Sequence, residues 1–253
     1  MTSSTPHTTP HAVPQAPRGE LDVREHGAPH GGEPQTSDRR LFLQFQAFTG
    51  CADVDAAGQA LAQHQVEGAL YADINDPWGI GLVLVSEDPG WFVSTGRTLL
   101  THRPFAELRH RPELTMFGRT YSSGREADLE DWLLRKPRRT LLNPHWPWAV
   151  WYPLRRKSEF ALLPREEQSA ILAEHAKIGM AFGQAGYAAD IRLACYGMDM
   201  RDNEFVLGLV GPQLHGLSAL VQEMRKSQQT GRYIASMGPF FVGRACWQSP
   251  LRV

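Results

Sequence analysis

The chain has 253 residues, 42% hydrophobic and 21% charged, which is the composition of a globular protein with room for one large domain or two small fused ones. A formal net charge of −1 excludes bulk attraction to nucleic acid or to a membrane surface, so any cationic site has to be a local pocket. No apolar run approaches the roughly 20 residues of a bilayer span, no signal-peptide core is visible, and Cys51, Cys195 and Cys246 stand apart without CxxC spacing, so the reading is a cytoplasmic chain with free thiols, no membrane span and no nucleic-acid partner.

Residues 1–39 are rich in Pro, His, Gly, Ser and Thr. Such a stretch buries too little apolar surface to offset its ordering entropy, and it reads as a disordered tail. Its histidines, His7, His11, His26 and His30, lack metal-ligand spacing and read as solvated. From Leu41, alternation through Leu43 and Phe45 predicts a strand. A helix is expected over Val54–Gln65, then strands over Val66–Ile74 and Ile80–Ser86 with an Asp76-Pro77 turn between them. A helix over Trp91–Leu100, a strand over Leu114–Ser122 and a short helix over Glu126–Leu134 follow.

The second half repeats the plan. Strands are expected over Trp146–Tyr152, Ala189–Tyr196, Glu204–Val210 and Ile234–Arg244, with helices over Pro164–Phe182 and Leu214–Lys226. Pro164 and the carboxylates of Glu166 and Glu167 mark the start of the long helix. Each half therefore reads β-α-β-β-α-β, the ferredoxin-like order. Phe117-Gly118-Arg119 and Val242-Gly243-Arg244 end the two halves alike. The expected fold is α+β: two fused ferredoxin-like modules of the dimeric α+β barrel type, with 40–135 as the N-terminal half and 136–253 as the half carrying the site.

Within the long helix, Ile171, His175, Ile178 and Phe182 share one face. A histidine on an apolar face needs partners for its ring nitrogens. It is either a hydrogen-bonded core residue or a ligand to a metal or haem iron. Tyr152 reads, on its own, as a strand tyrosine among Trp146, Trp148 and Trp151, and Arg138 as one cation of a solvated run with Arg135, Lys136 and Arg139.

The segment from Leu163-Pro164-Arg165-Glu166-Glu167 to Glu174-His175-Ala176-Lys177-Ile178-Gly179 resembles the proximal helix of the chlorite dismutase superfamily. Lys136-Pro137-Arg138 and Tyr152-Pro153-Leu154-Arg155-Arg156-Lys157 resemble segments of its coproheme decarboxylase branch. So do Glu223-Met224-Arg225, then Thr230, Arg232 and Tyr233, then Gly238-Pro239-Phe240-Phe241-Val242-Gly243. The element order matches over most of 41–247, and the motifs from about Lys136 onward.

The resemblance implies that His175 binds the iron, and that iron-coproporphyrin III (coproheme) is both substrate and cofactor, with haem b as product. Arg138, Arg156, Lys157, Arg225 and Thr230 would hold the propionates, a role suited to the planar arginine fork. Tyr152 would relay oxidising equivalents from the iron to a propionate, with hydrogen peroxide as co-substrate, and the assembly would be a homopentamer.

Asp190-Ile191-Arg192-Leu193-Ala194-Cys195-Tyr196 resembles the family's distal strand. Counting back from Gly197 places Asp190 towards the iron, where relatives carry arginine or glutamine; a small change of register presents Arg192 instead. Asp190 is either a base for peroxide cleavage or the partner of Arg192. Arg156 also replaces a lysine common in the family. Two alternatives remain open: another haem enzyme of the fold (a chlorite dismutase or a peroxidase), and a non-enzymatic haem-binding protein.

Overall fold

The computed structural model describes residues 21–251. In chain order, β1 (Glu25–His30) and β2 (Glu33–Ser37) form a hairpin, followed by β3 (Phe42–Thr49), α1 (Val54–Gln63), β4 (Gly68–Asp73) and β5 (Ile80–Ser86). Two short helices, α2 (Gly90–Val93) and α3 (Thr95–Leu100), lead to β6 (Arg109–His110) and β7 (Met116–Thr120). A π-helical turn at Asp131–Arg135 runs into α4 (Lys136–Leu141) and links the halves. Then come β8 (Trp148–Arg156), α5 (Ser158–Leu162), α6 (Arg165–Gln184), β9 (Ala189–Ala194) and β10 (Phe205–Gly211). The last elements are α7 (Leu214–Met224), α8 (Gln228–Tyr233), β11 (Ile234–Met237) and β12 (Phe241–Gln248).

The strands β7-β3-β5-β4 form one antiparallel ferredoxin-like sheet and β12-β8-β10-β9 another. Pairing of β4 with β12 and of β7 with β9 joins them into a closed eight-stranded barrel, which removes the edges an open sheet would leave. The expected α+β duplication is present. Alternation along each strand sends one row inward: Leu43, Phe45, Tyr71, Val83, Trp151 and Phe241 fill the barrel. Leu133, Leu134 and Leu141 from the linking helix join that core. The opposite rows carry the helices.

Four local readings differ, the first being the short helix expected over Glu126–Leu134, which lies instead over Asp131–Arg135 and Lys136–Leu141. Residues 1–20 of the expected tail lie outside the described residues, but 25–37 form the β1–β2 hairpin. Gly31 and Gly32 turn it at φ of +60° and +90°. Side chains fasten it: Glu25 accepts from Arg119 at 2.6 Å and from the Ser122 amide at 2.8 Å, and the Gln35 amide donates to the Ala127 carbonyl at 3.0 Å. Polar bonds to a segment ninety residues away leave no trace in local composition. The helix expected over Trp91–Leu100 breaks at Ser94, whose backbone is not helical. The last strand splits at Gly238-Pro239, where proline has no N–H for the ladder.

Candidate functional site

The site lies on the outer face of the second sheet, facing α6. Period-2 alternation puts Trp148, Val150, Tyr152, Leu154 and Arg156 on that face of β8. Register then aligns Tyr152 with Leu207 of β10, and Leu207 with Arg192 of β9. One row along, Val150, Leu209 and Asp190 are aligned. Tyr152 is buried and its ring stacks on Phe240, with centroids 4.6 Å apart. Burial pushes its phenol far above the ordinary range; Asp190 adds to this and Arg225 opposes it, so both charges act on the ring.

Helix α6 is 20 residues long and fully buries only Ile171. His175, Ile178 and Phe182, on its inward side, are half-buried, and Leu207 opposite is half-buried too. The His175 ring is held below the ordinary range by burial first and by Arg192 second, with Asp190 and Glu174 opposing. Its Nδ1 lies 3.2 Å from the Ser227 hydroxyl. Ser227 is itself buried and caps α8, and its hydroxyl donates to the Met224 carbonyl at 2.8 Å. Thr230 lies beside it, with 3.4 Å between the two hydroxyl oxygens.

Asp190 is paired. Its carboxylate meets the Arg192 guanidinium at 2.7 Å and the Lys136 ammonium at 3.7 Å. Both cations also lie over the Trp132 ring, Lys136 at 3.9 Å and Arg192 at 4.8 Å from its centroid. The Trp132 indole donates to the Tyr121 carbonyl at 2.9 Å. Burial lowers the Lys136 ammonium and Asp190 counteracts it. The π-helical turn at Asp131–Arg135 puts Trp132 and Lys136 on this side, and the structure thus favours the pairing reading for Asp190.

The five expected propionate cradles are placed differently by the fold. Arg138 points to the first half, where its Nε meets Glu67 at 2.6 Å and its Nη1 lies 3.5 Å from Glu87, so its charge is paired with carboxylates of that half. Arg156 sits four residues along β8 from Tyr152, about 13 Å at the usual strand rise. It is shared between Glu204 at 3.0 Å and the Tyr196 hydroxyl at 2.8 Å. Arg225 and Lys157 are exposed and make no ion pair among the described residues. Thr230 is half-buried beside Ser227. Sequence reasoning missed Ser227, Lys136, Trp132 and Tyr121. Of these, Ser227 carried a signal, since a serine opening a helical turn is a capping residue.

The family model for chlorite dismutase matches residues 120–246. No curated protein matches the chain in sequence. Among solved structures, a heme-binding protein from Thermus thermophilus aligns with a TM-score of 0.64 at 18% identity, covering 82% of this chain and 91% of that one. A mutant chlorite dismutase from Candidatus Nitrospira defluvii aligns with a TM-score of 0.61 at 14% identity, covering 85% and 93%. The imidazole complex of the chlorite dismutase from that organism aligns at 0.62, again at 14% identity with 85% and 93% covered. At these identities the structural likeness is one of fold.

Proposed function

Since the chain belongs to the chlorite dismutase family, we propose that it binds an iron porphyrin through His175 and that it oxidatively decarboxylates ferric coproheme to haem b. The observation that carries this is the place of His175: a half-buried imidazole on the α6 face whose Ile178 and Phe182 pack against the Tyr152 cluster, with Arg192 and Asp190 of the same sheet face acting on its ring. The residues present fit such a group. Neutral imidazole is the ligand form of histidine. The half-buried Ile178 and Phe182 of α6 and the stacked Tyr152 and Phe240 rings are apolar and aromatic groups of the kind a flat ring packs against. Arg225 and Lys157, which have no ion pair among the described residues, suit acidic arms together with the Thr230 hydroxyl.

The iron porphyrin supplies the redox chemistry when bound, and coproheme is also the substrate. The chain's residues hold and orient it. His175 provides the ligand, and Arg225 draws a propionate towards Tyr152. Burial keeps the Tyr152 phenol protonated, so its oxidation expels a proton, and the resulting phenoxyl can take a hydrogen from the propionate. Each propionate with one hydrogen peroxide and one proton gives a vinyl group, carbon dioxide and two waters. Asp190, engaged by Arg192 and Lys136, sets the position of the Arg192 guanidinium rather than serving as a free base.

Arg192 favours a second reading. A guanidinium in the central row suits an oxyanion such as chlorite. Purified protein, ferric coproheme and peroxide separate the two readings, with porphyrin products followed by mass. The expected result is loss of two carbon dioxide units and four hydrogens; His175→Ala loses the iron spectrum, and Tyr152→Phe binds coproheme without forming haem b. Unchanged coproheme mass together with oxygen release from chlorite would replace the first reading by the second.

A further inference from the structure

We propose that Ser227 is the positioning residue for the iron ligand: it accepts the Nδ1–H of His175 and thereby presents the unprotonated Nε2 to the sheet face. This rests on the reading of His175 as the ligand, and it adds what orients that ring.

The argument is one of proton counting. A serine hydroxyl has a single hydrogen. Here its best acceptor is the Met224 carbonyl at 2.8 Å, against 3.4 Å to the Thr230 hydroxyl oxygen. With that hydrogen committed, the oxygen can only accept. It does so from the Thr230 amide at 3.4 Å, as the cap of α8. The remaining contact, 3.2 Å to His175 Nδ1, is a hydrogen bond only if Nδ1 carries the proton. A neutral imidazole has one N–H, so Nε2 holds the lone pair.

The adjacent carboxylate does not compete. Glu174 accepts from the Gln228 amide at 3.4 Å, in the first turn of α8. The Glu174-His175 pair thus docks on the start of α8 through two separate bonds, and the imidazole receives the weaker base. A hydroxyl acceptor orients the ring without drawing the proton off Nδ1, whereas a carboxylate would give it imidazolate character and make the iron more electron-rich. Ser227 therefore also sets how strongly the ligand donates.

The test begins without porphyrin. Long-range proton–nitrogen correlation spectra of ¹⁵N-histidine-labelled protein should show His175 as the Nδ1–H tautomer. Ser227→Ala should move it towards Nε2–H, Ser227→Thr should restore Nδ1–H, and Thr230→Ala should leave it unchanged. A wild-type ring already in the Nε2–H form, or one indifferent to Ser227→Ala, overturns the proposal. Should Ser227→Ala loosen α8, the wild-type and Ser227→Thr spectra still decide it. In haem-loaded protein, the iron–histidine stretch should rise in Ser227→Asp, and an unchanged stretch also counts against it. A Nδ1–H ring in a protein that never binds haem would sink the assigned function while sparing the tautomer assignment.

Discussion

Arg138 and Lys136 stand two residues apart on one helical segment, yet they serve different ends of the molecule. Arg138 is 18% exposed and Glu67, its partner, 14%, so the pair is largely out of water. Removing one member leaves the other charge buried and unpaired. Arg138→Ala should therefore lower stability by roughly 3 kcal/mol, lowering the melting temperature by about 6–12 °C for a chain of this size, while porphyrin affinity stays unchanged. Thermal unfolding beside a Soret titration reads both; a loss of affinity with unchanged stability would return Arg138 to the site. A sequence states that four cations cluster near Pro137, but not which one finds Glu67 seventy-one positions upstream. Periodicity placed His175 and Tyr152 on their helix and strand faces, while the roles expected of them came from the family resemblance. Ser227 was legible only as a cap, and its contact with His175, like the place of Trp132, depends on neighbours brought together by folding.

Helix α6 was legible from its first turn, where Arg165, Glu166 and Glu167 follow Pro164. Its looseness was not. The sequence places Ile171, His175, Ile178 and Phe182 on one face, which suggests a packed stripe, but only Ile171 is fully buried. By contrast α7, at 11 residues, buries Gly216, Leu217 and Leu220 against the sheet. Helical stability in proteins comes mainly from such packing, so α6 should open locally more readily than α7. Hydrogen exchange followed by mass should show α6 amides exchanging faster in porphyrin-free protein. A ligand present at 100 times its dissociation constant should then slow openings that release it by about 100-fold. Equal protection of α6 and α7 without porphyrin would show that the helix needs no ligand to complete its packing. The short α8, six residues long, lacked the length for any periodic signal.

Across the whole molecule, the echoed glycines mark the two seams of the barrel. A Cβ at Gly118 would lie 2.8 Å from the Leu193 side chain, and one at Gly243 would lie 2.8 Å from the Ala72 carbonyl oxygen. Each lets the last strand of one half approach the second strand of the other, so the repeated triplet was a reading of closure as much as of duplication. Duplication raises the question of a second site. In the first half, the face equivalent to the Tyr152 row is filled by Phe48, Leu70, Leu82 and Leu84, packed with Ala57 and Leu61 of α1 and Phe92 of α2. The equivalent helix, α1, has 10 residues against 20 in α6, and buries Ala57, Gly58 and Leu61. The first half thus uses as core what the second leaves half-covered, and porphyrin titration should saturate at one per chain. Phe92→Ala should open a cavity and cost about 3–5 kcal/mol without adding a second binding event, because no histidine in α1 stands ready to hold a metal. A stoichiometry of two, in either protein, would mean that the packed face opens as readily as the α6 face and that the asymmetry of the two halves does not govern binding.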